Sequence, residues 1–475
     1  MVGIVSWNAY IPFYRLDYKD IANAWKTKLP EGEKTVANYD EDSITMAVEA
    51  GMNCLDGIDR NTIDGLYYAS TTSPYKEKQS AALVSEALDL RRDTISMDFA
   101  NSLRSGTNAI LAAINAIRAN SAKKILVIAA DCRIATPQST LEPILGDGAV
   151  ALLLGESDVA AEAEGFYSIS DEMLDWWRFN TDAFVKTWED RFVLGQGYQS
   201  VVSEAVSGFM KKFGLSVRDF NKIACYVPDR RNHERLAKTL GFDFKAQFQD
   251  SLIGKVGDAG SANALMHLAA ALEEAKGGDR ILLVSYGDGC DVLSLRVTET
   301  IEKIRENNTG TVKKSLAKGK KIASYEKYLA YRNIIAVDVS RRAPYPSSAS
   351  VVWRERDQII RYHAFKCSRC GAIQLPRPDK VRVCVKCQSM DKFVGIRLSD
   401  VKGTINAFAQ DYIFATIDPP AIQVVINFEG GGRVLGYLTD VEVDKVKVGA
   451  PIKMSFRHIS DAGGFRNYYW KAKLI

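Results

Sequence analysis

The chain has 475 residues, of which 47% are hydrophobic and 25% charged, and 62 basic against 58 acidic side chains leave a net charge of +4. This length exceeds what one hydrophobic core ordinarily organises, so two or three domains are expected, and the composition excludes a disordered or fibrous chain. The charge surplus is too small for a dedicated polyanion binder, which sets nucleic acid aside as the default partner.

Residues 1–16 lack a basic segment leading into an uninterrupted apolar run. No later apolar run approaches the roughly 18 residues of a membrane span. The expectation is a soluble, cytoplasmic protein with no membrane partner. Of eight cysteines, four stand in Cys-x-x-Cys pairs, while Cys54, Cys132, Cys225 and Cys290 are scattered through apolar or loop text. That usage suits packing residues in a reducing compartment better than a disulfide framework.

From residue 1 to about 300 helical stretches alternate with short β-rich runs, as in 83–90, 94–100, 108–122 and 123–131. Such alternation predicts layered α/β structure. The stretch from Ser105 to Asp131 has a counterpart from Ala259 to Asp288. Each runs small residues, an Ala-rich helix, a Lys or Gly-Gly-Asp turn, a buried strand and an acid. The shared order and length point to a duplicated α/β unit.

Residues 301–321 turn polar and basic and read as a charged helix end and linker, with a domain boundary there. Residues 324–335 follow as a helix that packs back on a domain, and 351–366 lead into the cysteine pairs. Cys367, Cys370, Cys384 and Cys387 form two knuckles separated by 13 residues. Four thiolates at this spacing can close a tetrahedron around one Zn²⁺, leaving no water position, so the metal is expected to be structural. His363 lies nearby and is surplus to that set. After Cys387, five or six short strands with Gly and Asp punctuation suggest a small antiparallel, OB-like barrel. A ribbon followed by a barrel can bind single-stranded nucleic acid through stacking aromatics, for which Phe408, Tyr412, Phe414, Tyr468, Tyr469 and Trp470 are available. At strand spacing these are read as core residues instead.

The expected organisation is 1–165 and 166–300 as two halves of one α/β domain, 301–350 as linker and packing helix, 351–395 as zinc ribbon and 396–475 as barrel.

The first 300 residues resemble hydroxymethylglutaryl-CoA synthase, a thiolase-superfamily enzyme, in 38–51, 146–155 and 277–289. The tail from about 325 is similar to the zinc-ribbon/OB acyl-CoA-associated proteins that accompany such enzymes as separate subunits. The resemblance implies a five-layer αβαβα thiolase fold, acyltransferase chemistry and a coenzyme A thioester as substrate or ligand. It also implies an acyl group loaded on a cysteine at a helix N-terminus, within a frame like Asn-Ala-Cys-x-x-Gly-Thr. Here Asn101, Gly106 and Thr107 keep the frame, and Leu103 stands where the cysteine belongs. The family histidine aligns with Tyr226, the acid/base glutamate with Thr71 and the later asparagine with Asp258. A leucine cannot form a thioester.

Possible substitutes are Ser102 and Ser105 beside the lost nucleophile, and Cys290 on a loop expected to approach the site, with an incidental thiol the plainer reading. Tyr226 and Asp258 are candidates for proton transfer, and His233 is read as a surface residue of an amphipathic helix. The leading expectation is a subunit that keeps the scaffold and works with an active thiolase-family partner, or as a homodimer, in forming or cleaving C–C bonds of acyl-CoA. The alternatives are an independent acyl-CoA lyase or acyltransferase without a covalent intermediate, and, behind both, a nucleic-acid-binding ribbon/barrel protein.

Overall fold

The computed structural model describes residues 1–307, 312–338, 348–375, 382–414 and 416–475. Parts of the expected linker (308–311 and 339–347) and ribbon (376–381), and residue 415 of the expected barrel, lie outside the described residues. Two units are distinguished, one of Met1–Ala37, Asp42–Ser85 and Leu90–Tyr328, the other of Asn38–Glu41, Glu86–Asp89 and Leu329–Ile475.

The first unit is built on β1 (Gly3–Tyr10), α1 (Ser43–Cys54), β2 (Gly65–Ala69), β3 (Ile95–Phe99), α2 (Ser105–Arg118), β4 (Ile125–Cys132), β5 (Asp147–Gly155), β6 (Ala161–Ser170), α3 (Val202–Phe213), β7 (Lys222–Cys225), α4 (Arg230–Leu240), α5 (Asn263–Glu274), β8 (Arg280–Tyr286) and β9 (Gly289–Val297). The strands hydrogen-bond in the order β7-β8-β9-β6-β1-β5-β4-β2-β3. β4 and β8 are continuous apolar runs because both faces of each are covered, the pattern of strands inside α/β layers. In α2 the buried residues Ala109, Ile110, Ala113, Ile114 and Ile117 recur at helical spacing on one face. α5 is buried from Asn263 to Leu272 on every side, since it packs on strands of both halves.

The repeat read from the sequence has one topology in both copies. α2 leads into β4, which runs parallel to β2 and antiparallel to β5. α5 leads into β8, which runs parallel to β7 and antiparallel to β9. The halves join where Gly3 and Ile4 of β1 pair with Glu162 and Ala161 of β6.

The basic stretch expected to be a linker is folded onto this unit. Helices span Thr300–Asn307 and Val312–Ala317, and Lys320–Lys321 pairs with Tyr14–Arg15. Ile301 and Val312 are buried, and these two apolar anchors are outnumbered in the sequence by the charges around them. The predicted packing helix is α6 (Tyr325–Tyr331). Tyr325 donates to Glu142 over 2.5 Å and accepts from Trp25 Nε1 over 2.9 Å.

In the second unit β10 (His363–Cys367) pairs with β11 (Ile373–Gln374) and β12 (Phe393–Arg397). Five further strands follow, β13 (Gly403–Asp411), β14 (Ala421–Phe428), β15 (Arg433–Tyr437), β16 (Pro451–Ser460) and β17 (Asn467–Leu474), in the antiparallel order β15-β14-β13-β16-β17. A parallel bridge from Leu438 to Ala472 links the ends of the series. β14 buries every second residue, as a strand with one covered face must. Of the aromatics read as core, Tyr468 and Trp470 are buried, whereas Tyr412 and Phe414 are exposed at a loop after β13. Inside this unit the buried Arg457 guanidinium lies 3.1 Å from Asp40 and 2.8 Å from Glu41.

Candidate functional site

α2 begins at Ser105 with no side-chain cap on its first turn. Just before it, Leu103 packs against the main core. A Cβ at Gly287 would stand 3.0 Å from Leu103 Cβ, so glycine is required for that loop to lie against the leucine. Gly106 is constrained similarly, since a Cβ there would come 2.8 Å from the Ser261 carbonyl. The neighbouring Arg104 ties this turn to β9 through Asp291 at 3.0 Å, and Thr107 Oγ1 donates to the same carboxylate over 2.6 Å. The turn that carries Leu103 is thus tied to β9 and to the loop at Gly287, with hydrocarbon at its centre.

Tyr226 and Asp258, two further candidate positions, meet each other. Tyr226, immediately after β7, donates its hydroxyl to Asp258 Oδ2 over 2.9 Å. Arg133 lies 2.6 Å from the same oxygen, while Gly260 N and Asn263 Nδ2 donate to Oδ1 over 2.9 and 3.1 Å. Asp258 is wholly buried and all of this polarity is internal. Burial alone would depress the Arg133 guanidinium, but Asp258, Tyr226 and Asp131 outweigh it and raise its pKa. Burial, reinforced by Asp258, raises the Tyr226 phenol well above its ordinary value, so it stays protonated as a donor.

Thr71 is held by a second buried carboxylate. Asp131 accepts from Thr71 N (2.8 Å), Thr71 Oγ1 (3.0 Å), Thr72 Oγ1 (2.7 Å) and Ser261 N (2.7 Å). Asp131 was visible in the sequence only as the acid closing a repeat, and Arg133 not at all, because neither fits a motif.

The proposed stand-ins for the nucleophile fare differently from their sequence reading. Ser102 donates to the Gly287 carbonyl over 3.2 Å, and Ser105 Oγ is buried with no hydrogen-bond partner among the described residues. Cys290 is not on a loop but in β9, fully buried, and burial pushes its thiol well up, which suits an inert packing residue. His233 is not a surface residue either. It is buried in α4 with its ring 5.5 Å from Phe244 and 4.8 Å from Phe248, and desolvation pulls its pKa down to about 3.

Beside Tyr226 lies a cavity of ≈ 80 Å³ whose aromatic walls are Trp176, Tyr198, Tyr226 and Tyr286. Val193, Leu194 and Tyr198 reach it from a π-helix, Val193–Val201, an uncommon conformation that recurs at functional sites. The Arg133 guanidinium stacks on Trp176 at 5.1 Å from the ring centre.

In the second unit the sulfurs of Cys367, Cys370, Cys384 and Cys387 all lie within 4.8 Å of one another. The Cys367–Cys387 and Cys370–Cys384 separations are 3.7 and 3.5 Å. A Zn–S bond of about 2.3 Å implies sulfurs about 3.8 Å apart on a tetrahedron. The four thiols therefore fit a zinc ion, and Ser389 Oγ, 3.2 Å from Cys367 and 3.1 Å from Cys387, supplies a hydrogen bond to that sulfur set. His363 instead meets Asp89 at 2.8 Å. Among the described residues no helix is long and apolar enough to cross a membrane.

No family model matches the chain. The hydroxymethylglutaryl-CoA synthase of Methanosarcina mazei is 33% identical over 348 residues, covering 70% of this chain and 99% of that protein. Among solved structures, MvaS in complex with 3-hydroxy-3-methylglutaryl coenzyme A matches with a TM-score of 0.65 at 22% identity, covering 73% of this chain and 95% of that one. The curacin pathway HMG synthase in complex with acetyl donor-ACP gives a TM-score of 0.63 at 22% identity, with 70% and 88% covered.

Proposed function

The chain belongs to the hydroxymethylglutaryl-CoA synthase family, and on that premise we propose that it is an acyl-CoA-binding subunit that lacks the cysteine nucleophile and assembles with an active thiolase-family partner for C–C bond formation or cleavage. The observation that carries this reading is Leu103 in an otherwise intact helix-start frame, fixed by Arg104, Gly106 and Thr107. With no thiol there, the thioester of the family frame has no sulfur at this position. The independent, noncovalent lyase is less well supported. Its best base, Asp258, already accepts from Tyr226, Gly260 and Asn263 and pairs with Arg133, so its oxygens are occupied within the protein.

Other features agree with an assembly. β3 ends the large sheet, and its Ile95 and Met97 are 39% and 41% exposed. An apolar edge strand invites pairing with a second chain, in a homodimer or with the thiolase-like partner. The duplicated α–β–β topology supports the five-layer thiolase layering. The strand order β15-β14-β13-β16-β17 with its closing parallel bridge supports an OB-like barrel behind a zinc ribbon. We assign Cys367, Cys370, Cys384 and Cys387 as the ligands of one structural Zn²⁺, which would stabilise the ribbon without taking part in chemistry.

The deciding experiment incubates the purified chain with acetyl-CoA and longer acyl-CoAs, following CoA release and the intact mass. The expected result is binding without adduct or release, and turnover only after addition of a co-purifying thiolase-family protein. A covalent acyl adduct on the chain alone would overturn the reading.

A further inference from the structure

The cavity beside Tyr226 has a chemistry of its own, separate from the loss of the nucleophile. Its volume of ≈ 80 Å³ is several times the roughly 10–15 Å³ that a single water needs, so it is built for a group larger than solvent. Three tyrosines crowd one side: Tyr198 lies 6.2 Å from Tyr226 and 5.6 Å from Tyr286, ring to ring, and Trp176 stands edge-on to Tyr226 at 6.3 Å. Leu141, Ile144, Val193 and Leu194 complete the apolar lining. Spacings and tilts of this kind are those of aromatic clusters that accept a further ring edge-on or offset.

The acidic and basic side chains lining the cavity are of one kind. Asp175, Asp190 and Asp229 line it, and no Lys, Arg or His is among its described lining residues. Asp229 is spent on capping α4, where it accepts from Asn232 N, and Asp190 is exposed. Asp175 is 7% exposed and accepts from Trp176 N over 2.6 Å. Arg133, beside Trp176, stacks on that ring and is paired with Asp258. An acyl group ending in a carboxylate would have to bury its charge among aromatic walls and acidic side chains with no cation among the described lining residues, which is strongly unfavourable.

We propose that this cavity selects an uncharged aromatic acyl group on the coenzyme A thioester and rejects acyl groups that end in a carboxylate. This rests on the acyl-CoA-binding reading above and adds the substrate class to it. The ring would pack among Tyr198, Tyr226, Tyr286 and Trp176, and a hydroxyl on the ring would find an acceptor in Asp175.

The test is calorimetric titration of the full chain with CoA, acetyl-CoA, benzoyl-CoA and succinyl-CoA. Benzoyl-CoA is expected to bind about tenfold or more tighter than acetyl-CoA and succinyl-CoA, a factor within reach of a few aromatic contacts. Leu194→Trp, which fills the cavity from the π-helix, is expected to reduce benzoyl-CoA affinity to that of CoA. Asp175→Asn is expected to narrow the gap between benzoyl-CoA and succinyl-CoA from the succinyl side. Equal affinities for all thioesters, or a preference for succinyl-CoA, would overturn the cavity assignment while leaving the acyl-CoA reading standing. Absence of binding by CoA and every thioester would overturn both.

Discussion

Tyr226 donates its hydroxyl to Asp258 over 2.9 Å, and Arg133 closes on the same carboxylate from 2.6 Å. Tyr226 and Asp258 are thus two members of a buried ion-pair and hydrogen-bond network. Such a network is strongly destabilised by losing one member, because the remaining charge stays buried without its partner.

Asp258→Ala is therefore expected to cost about 3–5 kcal/mol of folding stability. Arg133→Met with Asp258→Leu in one chain should cost much less than the sum of the single changes. Urea denaturation of the two single variants and the double variant measures this coupling, and simple additivity would mean that the pair is not a unit.

Metal analysis of the purified chain should find one zinc per chain. Cys384→Ser or prolonged chelation should release it and lower the melting temperature, since a structural zinc site contributes folding free energy. Catalytic function of any partner should be affected only through loss of the second unit's structure.

Acid should destabilise the fold through His233. Its pKa in the folded state, about 3, lies below the ordinary 6.5, so between these values the unfolded chain binds the proton and the folded chain does not. Stability from this residue is full above pH 6.5 and falls as pH drops toward 3, by about 1.4 kcal/mol per unit at most. His267, also depressed by burial, adds in the same direction. His233→Phe should flatten the pH dependence of the urea midpoint over this window, and an unchanged slope would place the titration elsewhere.

Gly106→Ala should destabilise by about 1–3 kcal/mol, as overpacking does, although Ala is the better helix former. The added methyl would stand 2.8 Å from the Ser261 carbonyl. Thermal unfolding distinguishes the two effects by sign.

The sequence alone determined much about this protein. The repeat of α2–β4 in α5–β8 was legible because helical periodicity and buried apolar strands leave a local trace, and so was the four-cysteine cluster, because its paired Cys-x-x-Cys spacing stands in the sequence itself. Leu103 was readable as a departure from the family frame because Asn101, Gly106 and Thr107 hold the register. His233 and Cys290 were misplaced for one reason: a polar or sulfur side chain in amphipathic or Gly-rich text carries no mark of what will cover it. Ile301 and Val312 show the same failure from the other side, two apolar anchors hidden among charges in a stretch that read as linker.

Only the tertiary structure decided which buried groups meet beside Tyr226. Arg133, Tyr226 and Asp258 are far apart in sequence, and no pattern joins them. Their partnership follows from two half-domains bringing the ends of β4 and β7 and the turn before α5 to one place. Asp40 and Glu41 find Arg457 in the same way, more than four hundred residues along the chain. Local spacing records what the backbone does with its neighbours, whereas the charge balance of a buried site depends on which distant segments the packing delivers to it.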